Sequence, residues 1–229
     1  MELIVLGSGS SGNCYLLCNK DECLVIEAGI PFKDVKKALD FDISQIVGVI
    51  VSHCHGDHAK YCEEYQRAGI PIFKAYEIMT PRIEMGSFLI KPFRLEHDAE
   101  CYGFYLYQKE MGYLVFATDT YYVKYHFSGV NHILVECNYK QSILDENFNS
   151  GSIHKALRDR TMKSHFELQN VKTFLEKNNS HHLKSVVLLH LSDRNSDAKL
   201  FQEECQNVTH KPTYIAEPGL KVNLDLVPF

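Results

Sequence analysis

The run Ile46-Val47-Gly48-Val49-Ile50-Val51-Ser52, followed at once by His53-Cys54-His55-Gly56-Asp57-His58, decides the reading of this chain. The first half is apolar and β-branched, which predicts a buried strand ending near Ser52, and Gly56-Asp57 predicts a turn after it. Three imidazoles and a carboxylate therefore hang from a strand end and the loop that leaves it. Residues two apart in extended backbone point the same way. His53 and His55 can thus share one metal ion while Cys54 points elsewhere, and Asp57 and His58, beyond the turn, can face a second.

These groups alone cannot complete two sites, and the rest of the chain supplies more of the same kind. His97 follows the strand-like Phe88-Leu89-Ile90-Lys91-Pro92-Phe93-Arg94. Asp119 ends the run Tyr113-Leu114-Val115-Phe116-Ala117-Thr118, and His190 ends Lys184-Ser185-Val186-Val187-Leu188-Leu189. A lone His or Asp at a strand exit is usually structural. Several in one chain, beside a dense cluster, point to a metal centre.

With these residues in hand, the chain resembles the metallo-β-lactamase superfamily of binuclear metallohydrolases. The pattern His-x-His-x-Asp-His, then His, Asp and His each after a strand, falls on His53, His55, Asp57, His58, His97, Asp119 and His190 in order. The opening Leu6-Gly7-Ser8-Gly9-Ser10-Ser11-Gly12-Asn13-Cys14-Tyr15 is similar to that of the small YycJ-type branch, which is associated with DNA exonuclease activity. So are Glu96-His97-Asp98-Ala99, Ala117-Thr118-Asp119-Thr120 and His190-Leu191-Ser192. The resemblance implies an α/β fold, a metallo-β-lactamase-like four-layer αββα sandwich in one domain over residues 1–229, with the metals at the sheet edge. One departure is Glu27, where the family usually has Asp; the carboxylate is kept on a longer arm.

Composition frames this reading. A chain of 229 residues, 45% of them hydrophobic, can bury a substantial core. No apolar stretch approaches the ~20 residues that cross a bilayer, so no membrane partner is expected. Met1-Glu2-Leu3-Ile4-Val5-Leu6 runs straight into a strand without a basic leader, which points to the cytoplasm. Eight cysteines show no Cys-x-x-Cys pair, and reduced thiols acting as small hydrophobes are the simpler expectation. A net charge of −5 gives no global basic footprint for nucleic acid, so binding would have to rest on a local patch.

Strands are expected near 2–6, 14–18, 23–27, 46–52, 71–75, 87–95, 102–108, 113–118, 132–136 and 184–189. Helices are expected near 33–39, 58–68, 165–178 and 196–206. The stretch Gly7-Ser8-Gly9-Ser10-Ser11-Gly12 satisfies a dinucleotide fingerprint, but that motif works only where the last glycine opens a helix. Here a strand-like segment follows, and a tight hairpin near the metals is the better expectation.

Imidazole and carboxylate donors without thiolate suit two zinc ions and leave manganese or iron open. The resemblance implies a first site of His53, His55 and His97 and a second of Asp57, His58 and His190, with Asp119 shared. Two ions so placed can hold a bridging hydroxide as nucleophile, with Asp57 required for turnover. Phosphodiesterases of the superfamily also carry a Glu–His pair at the leaving group, which falls here on Glu136 and His165, the latter expected to begin a helix. Arg158 and Arg160 could contact phosphate or form a solvated basic face. His126, His132, His154, His181, His182 and His210 receive no role. The expected activity is a phosphodiesterase acting on nucleic acid, DNA ahead of RNA, trimmed from an end. The alternatives are a hydrolase of small esters, thioesters or lactones, and a silent metal-binding regulatory module.

Overall fold

The computed structural model describes residues 1–78 and 80–227. Its strands are β1 (Glu2–Gly7), β2 (Cys14–Cys18), β3 (Cys23–Ile26), β4 (Ile46–Val51), β5 (Ile72–Lys74), β6 (Ile83–Met85) and β7 (Phe88–Leu95). After these come β8 (Cys101–Gln108), β9 (Gly112–Ala117), β10 (His132–Glu136), β11 (Ser185–Leu189), β12 (Thr213–Ile215) and β13 (Lys221–Asn223). They form two sheets, ordered β13-β1-β2-β3-β4-β5 and β12-β11-β10-β9-β8-β7-β6. The helices are α1 (Phe32–Ala38), α2 (Gly56–Ala59), α3 (Cys62–Arg67), α4 (Gln141–Asn149), α5 (Lys155–Ser164), α6 (Leu168–Asn178) and α7 (Ala198–Thr209).

The layering follows from strands that are apolar on both faces. Alternate residues of a strand point to opposite sides. Leu3, Val5, Tyr15, Leu17, Leu24 and Ile26 enter the core between the sheets, with Phe104, Leu106, Leu114, Phe116 and Leu134 facing them. Their neighbours Ile4, Cys14, Leu16 and Val25 pack outward on Phe32 and Val35 of α1 and Cys62 and Tyr65 of α3. In the second sheet, Val115, Ala117, Ile133 and Val135 pack outward on Val171, Phe174 and Leu175 of α6 and on Phe201 and Cys205 of α7. Helix, sheet, sheet, helix is the expected αββα order. No helix among the described residues is long and apolar enough to cross a membrane.

Topology carries the site to one edge. β10 pairs in parallel with both β9 and β11, so Asp119, Glu136 and His190 emerge on the same side. β7 and β9 each pair antiparallel with β8, which sends His97 out at that side too. The backbone N–H of Tyr102 donates to the Ser52 carbonyl at 3.1 Å, bringing the exit of β4 to the same place.

Several expectations are corrected. Residues 58–68 are two short helices, α2 and α3, rather than one. His165 does not begin a helix: it has extended backbone (φ −131°, ψ 157°) between α5 and α6. α4 and α5 lie where no element was expected, as do the three-residue strands β6, β12 and β13. Cys18 and Cys23 face each other across the β2–β3 pair and form a disulfide, so reduced thiols hold only for the other six cysteines. The glycine-rich opening is a turn between antiparallel β1 and β2, with no helix after it.

Candidate active site

Three of the strands that reach this edge, β3, β9 and β11, turn sharply as they leave. Asp119 and His190 take positive φ values of 48° and 52°, and Glu27, at the exit of β3, one of 69°. A non-glycine residue there costs of order 1–3 kcal/mol and persists only where its surroundings fix it. The fixing contacts are visible. Thr118 Oγ1 donates to Asp119 Oδ1 at 3.0 Å, the Thr120 N–H donates to Glu136 at 2.9 Å, and the His190 N–H donates to Ser8 Oγ at 2.9 Å.

All seven expected metal ligands are brought together. One group comprises His53, His55, His97 and Asp119; another comprises Asp57, His58, His190 and Asp119; in each, the donor atoms lie within 4.8 Å of one another. Asp119 Oδ2 faces His53 Nε2 at 3.7 Å and His97 Nε2 at 3.8 Å. Its other oxygen, Oδ1, faces His58 Nε2 at 3.5 Å and His190 Nε2 at 3.8 Å. One carboxylate thus serves both groups, an oxygen to each.

The donors fit metal ions. His55 Nδ1 stands 3.1 Å from His53 Nε2 and 3.3 Å from His97 Nε2. Tetrahedral ligands held ~2.0–2.1 Å from zinc are separated by about 3.3 Å. Two of the ring nitrogens that face away from the cluster have acceptors to fix the tautomer. His53 Nδ1 has Ser52 Oγ at 2.8 Å and His97 Nδ1 has the Ser164 carbonyl at 2.9 Å, whereas His190 Nδ1 lies 3.2 Å from Asn138 Nδ2 and in ion-pair range of Glu136 Oε1 at 3.4 Å. His58 Nδ1 faces Glu27 Oε2 at 3.4 Å, in ion-pair range although outside hydrogen-bond geometry. The longer arm of Glu27 therefore reaches the position expected of the usual Asp.

Electrostatics points the same way. Burial, reinforced by the neighbouring His58, pushes His53 down to about 2, which keeps its lone pair free for a cation. Burial works against charge on Asp57, but hydrogen bonds from His190 and His58 outweigh it and keep the group a carboxylate. Asp119 is held below its ordinary range in the same way, burial opposing and His190 and His58 prevailing. Buried carboxylates among imidazoles make a negatively polarised pocket that a metal ion would neutralise.

Glu136 and His165 also meet here. His165 Nδ1 donates to Glu136 Oε1 at 2.6 Å, and the Phe166 N–H donates to Glu136 Oε2 at 3.2 Å. Burial opposes a charge on His165, but Glu136 raises its pKa above the ordinary value. The His165 side chain keeps 18% exposure while Glu136 has none, so the imidazole faces the pocket and the carboxylate stands behind it. A cavity of about 200 Å³ lies over the centre, lined by His55, Asp57, His97, Asp119, His165 and His190 with Arg160 at its wall.

Of the two expected arginines, Arg158 pairs with Asp145 at 2.6 Å, and Arg160 pairs with Asp98 at 3.2 Å at the wall of the central cavity. His181 and His182 are exposed, away from the centre. Sequence reasoning passed over three contributors. Asn13 Nδ2 lies 3.0 Å from His58 Nε2 and 3.2 Å from the Asp57 carbonyl. Asn138 Nδ2 donates to the His190 carbonyl at 2.7 Å. Asp98 Oδ1 stands 3.0 Å from His97 Nε2. Asn13 and Asp98 lie within stretches that carry the resemblance, without a role of their own there, and Asn138 is two residues beyond Glu136.

Residues 7–62 match the family described as the metallo-beta-lactamase superfamily, and the same likeness extends over the structure. YhfI from Bacillus subtilis, a metallo-beta-lactamase fold protein, superposes with a TM-score of 0.74 at 17% identity, covering 97% of this chain and 99% of that one. The fold is that of the metallo-β-lactamase superfamily, and the stretch His53–His58 lies within the matched residues. Two relatives carry the name exodeoxyribonuclease. The exodeoxyribonuclease WalJ of Streptococcus pneumoniae is 24% identical, covering 86% of this chain and 83% of its own length. The exodeoxyribonuclease YycJ of Bacillus anthracis is 27% identical over 61% of this chain and 64% of its own length.

Proposed function

We propose that this superfamily hydrolase is a binuclear metal-dependent phosphodiesterase that trims DNA from an end. One observation carries the reading: the two oxygens of Asp119 divide between two imidazole groups, in the same pocket that His165 enters with Glu136 behind it. His53, His55 and His97 would hold one ion, and Asp57, His58 and His190 the other. Zinc fits the donors best, with manganese or iron as alternatives. When bound, such a pair supplies an activated water at neutral pH and neutralises charge on a phosphate.

The chain's own residues do the rest. Glu136 orients the His165 ring and favours its protonated form, so the pocket-facing edge can give a proton to a departing alkoxide. Asp57, fixed by Asn13 and His190, stays ionised and faces the second group. The names of the WalJ and YycJ relatives favour DNA over RNA as the substrate. A cytoplasmic location goes with that reading; the six free cysteines suit it, and the Cys18–Cys23 disulfide does not.

The test is a matched panel of end-labelled single- and double-stranded DNA, RNA, a thioester and a lactone, assayed with the metal-loaded protein. Stepwise release of nucleotides from DNA supports the assignment. Turnover of the thioester or lactone with no diester cleaved moves it to the small-ester hydrolases. Inertness toward the whole panel leaves a metal-binding module without turnover.

A further inference from the structure

The central cavity does not end at His165. A second cavity, of about 320 Å³, shares Ser10, Leu157, Thr161, His165 and His190 with the first, so the two form one groove bending past His165. Its far side is the loop after His190, with Ser192, Arg194 and Asn195 in the lining. That loop is tied down. The Ser192 N–H donates to the Asn138 carbonyl at 2.9 Å and the Lys140 N–H to the Asn195 carbonyl at 2.9 Å. Asn147 Nδ2 donates to the Arg194 carbonyl at 2.8 Å, so the backbone of Arg194 is fixed.

Of the three arginines near the groove, Arg158 and Arg160 are held by Asp145 and Asp98. Arg194 makes no ion pair among the described residues and lies exposed in the lining. The carboxylate of the lining is Asp193, also exposed. A guanidinium without a partner, on a fixed loop, suits a phosphate. The cavity is of the size that small ligands occupy, and Ile153, Leu157 and Leu191 give it apolar walls for a base or sugar.

We propose that this groove is the subsite for the leaving half of the substrate, and that Arg194 binds the next phosphate along. The inference rests on the phosphodiesterase reading, because His165 stands where the two cavities join. An oxygen protonated there departs on the far side, into the second cavity. The enzyme then recognises a chain of nucleotides rather than an isolated diester.

The test compares kcat/KM of the metal-loaded protein on thymidylyl-thymidine and on its two forms phosphorylated at one end or the other. The wild type should favour the form whose leaving nucleoside carries the extra phosphate, by roughly tenfold or more. Arg194→Ala should bring that ratio close to one, Arg194→Lys should keep part of it, and Asp193→Asn should raise it. Equal rates in the wild type, or a ratio untouched in Arg194→Ala, would overturn the proposal. If the metal-loaded wild type cleaves neither the three nor end-labelled DNA, the phosphodiesterase reading fails and this inference with it; DNA cleaved with all three left intact overturns this inference alone.

Discussion

Glu136 and His165, 29 positions apart in the chain, meet at 2.6 Å between Oε1 and Nδ1, and the same Oε1 lies 3.4 Å from His190 Nδ1. One buried carboxylate therefore hydrogen-bonds the candidate proton donor and stands in ion-pair range of a candidate metal ligand. The two tasks are coupled through its position: a shift of β10 would disturb both at once.

His165→Ala should slow cleavage of natural diesters, whose leaving group is a sugar oxygen, by about 10²–10⁴-fold. Bis-p-nitrophenyl phosphate should be affected far less, because p-nitrophenolate departs without a proton. Equal loss on both substrates would make His165 a binding residue rather than an acid. Glu136→Gln should show the same asymmetry, with metal content lowered as well through His190.

Gly29 sits where two loops touch. A Cβ at this position would lie 1.7 Å from the Asp57 carbonyl oxygen and 2.6 Å from the Asn13 backbone nitrogen. Gly29→Ala must therefore push the metal loop away from the β3 exit, and overpacking of this kind typically costs ~1–3 kcal/mol. We expect a lower Tm together with reduced metal content. A variant with wild-type values of both would show that the two loops are not in contact.

The candidate ligands were legible because chemistry and periodicity coincided: a β-branched run buried on both faces must stop somewhere, and His53, Asp119 and His190 mark the stops. α5 was not legible for the opposite reason. Lys155-Ala156-Leu157-Arg158-Asp159-Arg160-Thr161-Met162-Lys163-Ser164 buries only Thr161 and Ser164 fully, so it has no apolar stripe to reveal a helix. With α5 unseen, the helix after it was expected to start at His165, which instead lies in the short link to α6. Arg158 and Arg160 have the composition of a phosphate site, but only the structure pairs them with Asp145 and Asp98, which are distant or inconspicuous in sequence. β6, β12 and β13 are three residues each, too short for a period to show. The Cys18–Cys23 pairing depends on hairpin register, which the spacing alone did not reveal.

Away from the centre, His132 is 1% exposed, and burial lowers its pKa from an ordinary 6.5 to about 4. Between those values the unfolded chain takes up a proton that the folded ring refuses. Stability should therefore fall as pH drops from about 6.5 to about 4, by up to ~3 kcal/mol from this residue. Above pH 6.5 the ring is neutral in both states and contributes no slope. Urea denaturation of the metal-free protein at several pH values should show a shallower acid slope for His132→Gln than for the wild type. Parallel slopes would mean that the ring is protonated in the folded protein.

The most direct test of the central claim is nucleotide release from end-labelled DNA as metal-free protein is titrated with zinc or manganese. The divided carboxylate of Asp119 predicts little release below one equivalent per chain and a rise that completes at two. Full release at one equivalent, release in the presence of excess chelator, or no release at two equivalents of either metal would contradict it.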